Sequence, residues 1–348
     1  MQIRVFKPGV PAALGAALLF GAGTPFAKWL LHGNNPWLLA GVLYLGSGLG
    51  ASLYRLYIHT HGGKLEPSEW RWLAGAIFAG GVVAPVLLMV GLTGMPASGA
   101  SLLLNTEGLF TALLAWFVFR ENFDRRIVLG MTAIVAGAVV VGWPGDARFS
   151  AVLPALAVIG ACLSWGIDNN LTCKVSHIDA TWIASIKGLA AGGVNMGIAL
   201  TLGANWPPLP SLGGMLLVGC FSYGVSLVLF IVALRHLGTA RAGAYFSIAP
   251  FFGSALAIPL LGEAVDARLV VAGTLMALGI WLHLTENHEH EHVHEANSHE
   301  HAHSHDRHHE HEHDEACLPG TDHIHRHFHA PLTHVHNHFP DTHHRHEH

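Results

Sequence analysis

Up to about residue 285 the chain is a succession of apolar windows, each about 20 residues long, separated by breakers rich in Gly, Pro and Asn. A window of that length buried in hydrocarbon can satisfy its own backbone only as a helix. The pattern therefore confines the chain to an all-α integral membrane protein. Ten such windows are read at 10–31, 37–57, 72–92, 97–119, 127–142, 151–171, 182–203, 212–234, 240–261 and 269–283. The breakers include Gly33-Asn34-Asn35-Pro36, Gly94-Met95-Pro96, Trp143-Pro144-Gly145 and Trp206-Pro207-Pro208-Leu209-Pro210. Composition agrees: 51% of residues are hydrophobic and 12% are charged, against about 25% charged in soluble domains. Trp29, Trp37, Trp70, Trp72, Trp143 and Trp206 fall near window ends, where an interfacial aromatic belt belongs.

The first window follows Arg4 and Lys7 as a signal peptide's would, but its length suits a retained span. Loop charge orients the spans. One side receives Arg4, Lys7, Lys64, Arg71, Arg120, Arg125, Arg126, Lys174, Arg235 and Arg241; the other receives Arg148 and Arg268, with Lys28 at the end of the first window. The richer side is expected to be cytoplasmic. With ten spans, both termini are then cytoplasmic. The location expected is the cell (inner) membrane, with lipid as a partner, no nucleic acid, and a homodimer admissible.

The two halves repeat. Residues 107–126 read EGLFTALLAWFVFRENFDRR and residues 249–268 read APFFGSALAIPLLGEAVDAR. Glu121, Asp124 and Arg126 thus match Glu263, Asp266 and Arg268, and the same offset pairs Gly137 with Gly279. LFGAGTPFAKW from Leu19 matches SWGIDNNLTCK from Ser164 more loosely. A unit of five spans has an odd count, so its two copies must lie inverted, an arrangement suited to alternating access. The domains expected are 1–143 and 144–285, the two repeats, and 286–348, a tail.

A small-residue-rich fourth helix, an Arg/Gly-Glu exit and a Gly-rich fifth helix in each half resemble the EamA family of the drug/metabolite transporter superfamily. The resemblance covers about residues 8–285. It implies a ten-helix secondary transporter, commonly an exporter of small metabolites. The tail departs from that pattern.

Ionisable groups at membrane depth are costly and so point to function. Glu107, beside Asn105 and Thr106, lies in the fourth window. Asp168, followed by Asn169 and Asn170, lies late in the sixth, and Lys187 lies early in the seventh. Asp168 and Lys187 share a depth and are expected to pair, either as part of the transport site or as a staple between helices. Glu107 has no obvious basic partner and is read as a carboxylate that trades a proton for a cationic cargo. Tyr223 with Ser222, Tyr245 with Ser247, and Asn195 join the candidate cavity; interhelical hydrogen bonding is the plainer reading of each. Pro25, Pro85, Pro250 and Pro259 interrupt apolar helices, where they free carbonyls or merely kink. Cys162, Cys173, Cys220 and Cys317 form no Cys-x-x-Cys pair, so neither a disulfide framework nor a zinc ribbon is indicated.

The tail holds 23 of the 29 histidines. Its ligand candidates are His288, His290, His292, His294, His299, His301, His303 and His305 in one block. A second block supplies His323, His325, His327, His329, His334, His336, His338, His344, His346 and His348. Neutral imidazoles with interspersed Glu and Asp suit Ni, Co, Zn or Cu, and His-x-His spacing lets two nitrogens reach one ion. With few aliphatic residues the tail cannot bury a core and is expected to be disordered without metal. The formal charge of −5 is soft, because histidine titrates near neutrality.

No cofactor is required by this reading, and no nucleotide loop, hydrolase elbow or His-Glu-x-x-His helix suggests an enzyme. The expectation is a secondary transporter exporting a divalent transition metal or small metal complex gathered by the tail. An alternative is an amino-acid or metabolite exporter whose tail is a metal sensor or buffer. Another is a membrane-anchored metal store without transport.

Overall fold

The computed structural model describes residues 9–58, 65–119, 125–143, 149–175, 178–237 and 245–284, and in the tail the backbone of 288–294, 297–303, 323–329 and 332–338. Arg4, Lys7, Lys64, Arg120, Glu121, Asp124, Arg148, Arg241, His305, His344, His346 and His348 lie outside the described residues.

The membrane unit, Met1–Glu286, is built of helices joined by turns and short loops, with no strand among its described residues. Its elements are α1 (Gly9–Leu30), α2 (Pro36–Ile58), α3 (Trp70–Gly94), α4 (Ala97–Leu103), α5 (Thr106–Phe119), α6 (Arg125–Gly142), α7 (Phe149–Cys173) and α8 (Ala180–Thr201). After them come α9, which opens at Leu209–Val218 and closes at Ser226–Leu237, α10 (Ala249–Leu261) and α11 (Ala267–Leu284). Six helices among the described residues are long and apolar enough to cross a membrane alone, and Val128–Gly142, Ala249–Leu261 and Ala267–Leu282 are shorter apolar stretches. The fourth expected window is not one helix. A turn at Leu104 and Asn105 divides it into α4 and α5, where Asn105 and Thr106 turn their polar atoms back onto Leu102 O and Leu103 O.

Each half packs chiefly on the other. The α2 helix lies along α8 and α6 along α11, while α1 is held by α9 and α10, and α7 by α3 and α5. Small residues bring the backbones together. A Cβ on Gly188 of α8 would fall 2.6 Å from Gly48 Cα of α2. Gly137 and Gly279 admit the facing helix in the same way: their Cβ atoms would lie 2.8 Å from Met276 and 2.6 Å from Gly130 O. The core is filled by Leu38, Leu39, Leu43, Leu88, Met89, Leu103, Met215 and Met276. Leu53, Leu56, Phe78 and Val139 stay exposed, as side chains solvated by lipid do.

Two long helices carry a wider turn at matching places. Ile77–Val83 in α3 and Gly219–Val225 in α9 are π-helical, seven residues each. They are separated by the offset that relates Glu121 to Glu263. In each, an N–H reaches back five residues, from Ala84 to Ala79 O and from Ser226 to Phe221 O. Such turns concentrate at functional sites.

The two ends of the bundle are pinned by polar contacts. Where α2 ends and α8 begins, Asp179 caps α8 by accepting from Trp182 N–H at 2.9 Å, and from the Thr181 hydroxyl and Arg55 Nη1, the latter at 2.9 Å. Burial pushes the Asp179 carboxyl up, but the Thr181 hydroxyl, the Trp182 amide and the Arg55 guanidinium together hold it below the usual aspartate range. A depressed folded-state pKa stabilises the fold above the unfolded value, and that stability is lost as pH falls through the folded one. Asp179→Ala is expected to lower stability in detergent at pH 7 by about 1–2 kcal/mol. Asp179→Asn keeps a capping oxygen and loses only the charge, so its melting temperature should converge on the parent's as pH falls below about 4. At the opposite end, Glu263 in the loop after α10 accepts from Ala97 N–H at 2.6 Å and Ser98 N–H at 2.9 Å. Beside it Lys28 Nζ donates to Leu92 O and to Met95 O.

The tail, Asn287–His348, is a separate unit. Its described backbone forms β1 (His288–His294), β2 (Asn297–His303), β3 (His323–His329) and β4 (Leu332–His338). β1 pairs antiparallel with β4 and β2 with β3. The register sets His288, His290 and His292 opposite His338, His336 and His334, and His299, His301 and His303 opposite His327, His325 and His323. Composition led to an expectation of no regular structure here. The His-x-His alternation has the period of two that a strand requires, and these residues are paired strands.

Candidate functional site

The π-helical turn of α3 organises the middle of the bundle. Ala84 N–H is engaged by Ala79 O, and Pro85 has no N–H to offer. Gly80 O is therefore left for outside donors. It accepts from Tyr44 Oη of α2 at 2.7 Å and from Trp165 Nε1 of α7 at 3.0 Å. Gly81 O accepts from Asn195 Nδ2 of α8 at 3.0 Å. Three helices are thus tied to one widened turn through two of its carbonyls.

Asp168 stands against the same turn. A Cβ at position 80 would sit 1.9 Å from Asp168 Oδ2, so only glycine admits the carboxylate here. Lys187 Nζ donates to Asp168 Oδ1 at 2.5 Å and to Thr172 Oγ1 at 3.1 Å, and Thr172 Oγ1 donates to Asp168 Oδ1 at 2.9 Å. Asp168 and Lys187 are both nearly buried. The pairing expected from their depths is present.

Glu107 is the second residue of α5, in its first turn just beyond the break in the fourth window. It is half-buried, and its carboxylate accepts from Asn169 Nδ2 at 3.0 Å. Asn169 also donates to Thr111 Oγ1 at 3.1 Å. Among the described residues Glu107 forms no ion pair. The Tyr44 and Tyr223 rings lie 5.8 Å apart.

The structure brings Glu107 to Asn169 and Lys187 to Asp168, sets Tyr223 against Tyr44 at the same widened turn, and leaves two sequence candidates aside. Asn105 is buried against Leu102 O and Met276 Sδ. Tyr245 packs with Phe230 and Leu229 on Ala12 and Ala13, close to the start of α1. Tyr44, Trp165, Thr111 and Thr172 were missed. Trp165 follows Ser164 within the segment that matched the first window, and a Trp inside an apolar window rather than at its edge was the available signal.

The chain belongs to the EamA-like transporter family, whose profile matches residues 7–143 and 152–285. It is a multi-pass membrane transporter. An "uncharacterized transporter" of Methanothermobacter thermautotrophicus is 29% identical over 294 residues, covering 79% of this chain and 85% of the relative. The "uncharacterized inner membrane transporter YedA" of Escherichia coli is 24% identical over 301 residues, 81% of this chain and 94% of its own. A "probable amino-acid metabolite efflux pump" of Salmonella typhimurium is 24% identical over 217 residues, 55% of this chain and 68% of its own. A solved crystal structure shares the fold with a TM-score of 0.60 at 18% identity, covering 79% of this chain and 95% of that one.

Proposed function

We propose that this protein is a secondary transporter that exports a small amine-bearing metabolite in exchange for protons, with Glu107 as the acid both use. The observation that carries the reading is the unequal state of the two membrane acids. Asp168 is neutralised by Lys187, whereas among the described residues Glu107 accepts from the amide of Asn169 and forms no ion pair. An acid without a cationic partner at membrane depth is maintained for a passing charge. One proton entering the carboxylate as one monovalent cation leaves keeps the site's charge constant.

The scaffold in this reading is two inverted five-helix repeats with ten spans and both termini in the cytoplasm. The paired π-helical turns, the broken fourth helix and the exchange of contacts between halves support it, because discontinuous helices at a repeat interface are where such transporters bind cargo. The Salmonella relative's name, an amino-acid metabolite efflux pump, favours an organic cargo. So does the ligand inventory. Among the described residues no three His, Cys, Asp or Glu side chains converge, and a naked divalent metal needs more oxygen or nitrogen ligands than one acid supplies.

The tail in this reading binds Ni, Co, Zn or Cu as a sensor or buffer. Export of the metal itself is the second reading, favoured by the histidines set at opposite register positions of the tail's paired strands. Purified protein in proteoliposomes separates them. An imposed pH gradient should drive flux of an amine-bearing metabolite, and Glu107→Gln should reduce that flux to background leak. Metal flux that falls when residues 287–348 are removed would establish the second reading instead. No flux across a broad panel would reject transport and favour a membrane-anchored store.

A further inference from the structure

The backbone register of the tail sorts its histidines into pairs. In the first ribbon His288, His290 and His292 of β1 stand opposite His338, His336 and His334 of β4. In the second, His299, His301 and His303 of β2 stand opposite His327, His325 and His323 of β3. Alternate residues of a strand share a face, and directly opposed residues share it too. Each ribbon therefore carries a row of three opposed histidine pairs on one face. The intervening residues take the other face. There Glu291 stands opposite Val335 in the first ribbon, and Glu300 opposite Arg326 in the second. The Glu300 and Arg326 positions set opposite charges across from each other, which favours this register. A slip of one residue in either direction would leave none of these histidines opposite another. The rows fall on even numbers in the first ribbon and odd numbers in the second, so they are two separate rows.

The spacing within a row suits a metal ion. Opposed residues have their Cβ atoms about 5 Å apart, and the next pair lies about 6.5 Å further along the strand. Two consecutive pairs thus place four histidines at the corners of one small rectangle. Four imidazole nitrogens complete the shell of Zn²⁺, or the square set of Ni²⁺ or Cu²⁺. One strand alone supplies only two of the four corners. A two-stranded ribbon is marginal in water by itself, so an ion held across it also fastens the strands.

We propose that the tail's metal sites lie between strands: the histidine pairs opposed across β1 and β4, and across β2 and β3, hold divalent transition-metal ions jointly, and neither strand of a ribbon holds them alone. This rests on the metal-binding reading of the tail above. It adds where the ions sit and which distant segments must meet to form each site.

The test uses the full chain in detergent, loaded with Ni²⁺ and desalted, with the metal retained per chain as the readout. One variant carries His288→Thr, His290→Thr and His292→Thr. A second carries His334→Thr, His336→Thr and His338→Thr, and a third carries all six. Threonine keeps the strand propensity. Each triple variant should lose about half of the retained Ni²⁺, one ribbon of two, and the six together no more than either triple, because partners in one site are not additive. Adding His323→Thr, His325→Thr and His327→Thr to the second variant should remove most of the remainder, since the second ribbon is a separate site. All variants should elute as the parent does, because the membrane unit is untouched. Losses that add within one ribbon, or a triple variant that keeps its full complement of Ni²⁺, overturn the proposal and leave the metal-binding reading of the tail standing. If the parent retains no Ni²⁺, both fall.

Discussion

Gly188→Leu is expected to leave no folded transporter to purify. A Cβ at this position lies 2.6 Å from both Gly48 Cα and Gly48 N, and 3.0 Å from Tyr44 O. Those are backbone atoms of the facing helix and cannot rotate aside, so α8 must move off α2. The same face then repeats the problem one turn on, where Gly192 meets Leu45 N at 2.6 Å. In lipid no hydrophobic effect pulls two helices together, and close backbone contact is the main attraction left. Separating them also breaks the Asn195 bond to Gly81 O and withdraws Lys187 from Asp168. Size-exclusion chromatography of detergent-solubilised protein should show aggregate in place of a monodisperse peak. Gly193→Leu is the control: it lies on the same helix with nothing within 4 Å of its Cβ, and it should purify as the parent does.

Lys187→Met should be the most damaging single change in the site itself. It leaves Asp168 nearly buried with a lone hydroxyl, Thr172, in place of an ammonium. Removing one partner of a buried ion pair costs about 3–5 kcal/mol, whereas replacing both partners is often neutral. The thermal midpoint of Lys187→Met should therefore fall steeply, and the Lys187→Met, Asp168→Asn double variant should recover most of it. Flux adds a second readout. If the pair only holds α7 against α8, the double variant transports as the parent does. If the pair belongs to the cargo site, stability returns and flux does not.

The depth of each ionisable group was legible in the sequence, and its azimuth was not. Asp168 and Lys187 were expected to meet because both lie near the same ends of neighbouring windows, and they do. Glu107 was singled out because a carboxylate at membrane depth is expensive whatever surrounds it. Tyr245 was grouped with it on residue type, yet it faces Ala12 and Ala13. A window apolar on all sides carries no stripe to say which face turns inward. Asn105 has its amide on Leu102 O for a related reason: at a helix break an amide serves its own backbone first. The Gly80 cluster was out of reach. It depends on a π-helical turn that no local pattern announces, and on donors from two other helices that only tertiary contact supplies. The family resemblance read from the Glu263 and Glu121 exits was correct, but the split of the fourth window into α4 and α5 was not foreseen, since 97–119 is apolar enough to read as one span.

The Glu263 carboxylate binds two amides at the head of α4 across the boundary between the halves. Those amides have no helical acceptor of their own, so the contact serves both partners while it lasts. Any parting of the bundle at that end must release both bonds and hand the amides to water. In a transport cycle that opened this end, the clasp would have to unfasten first.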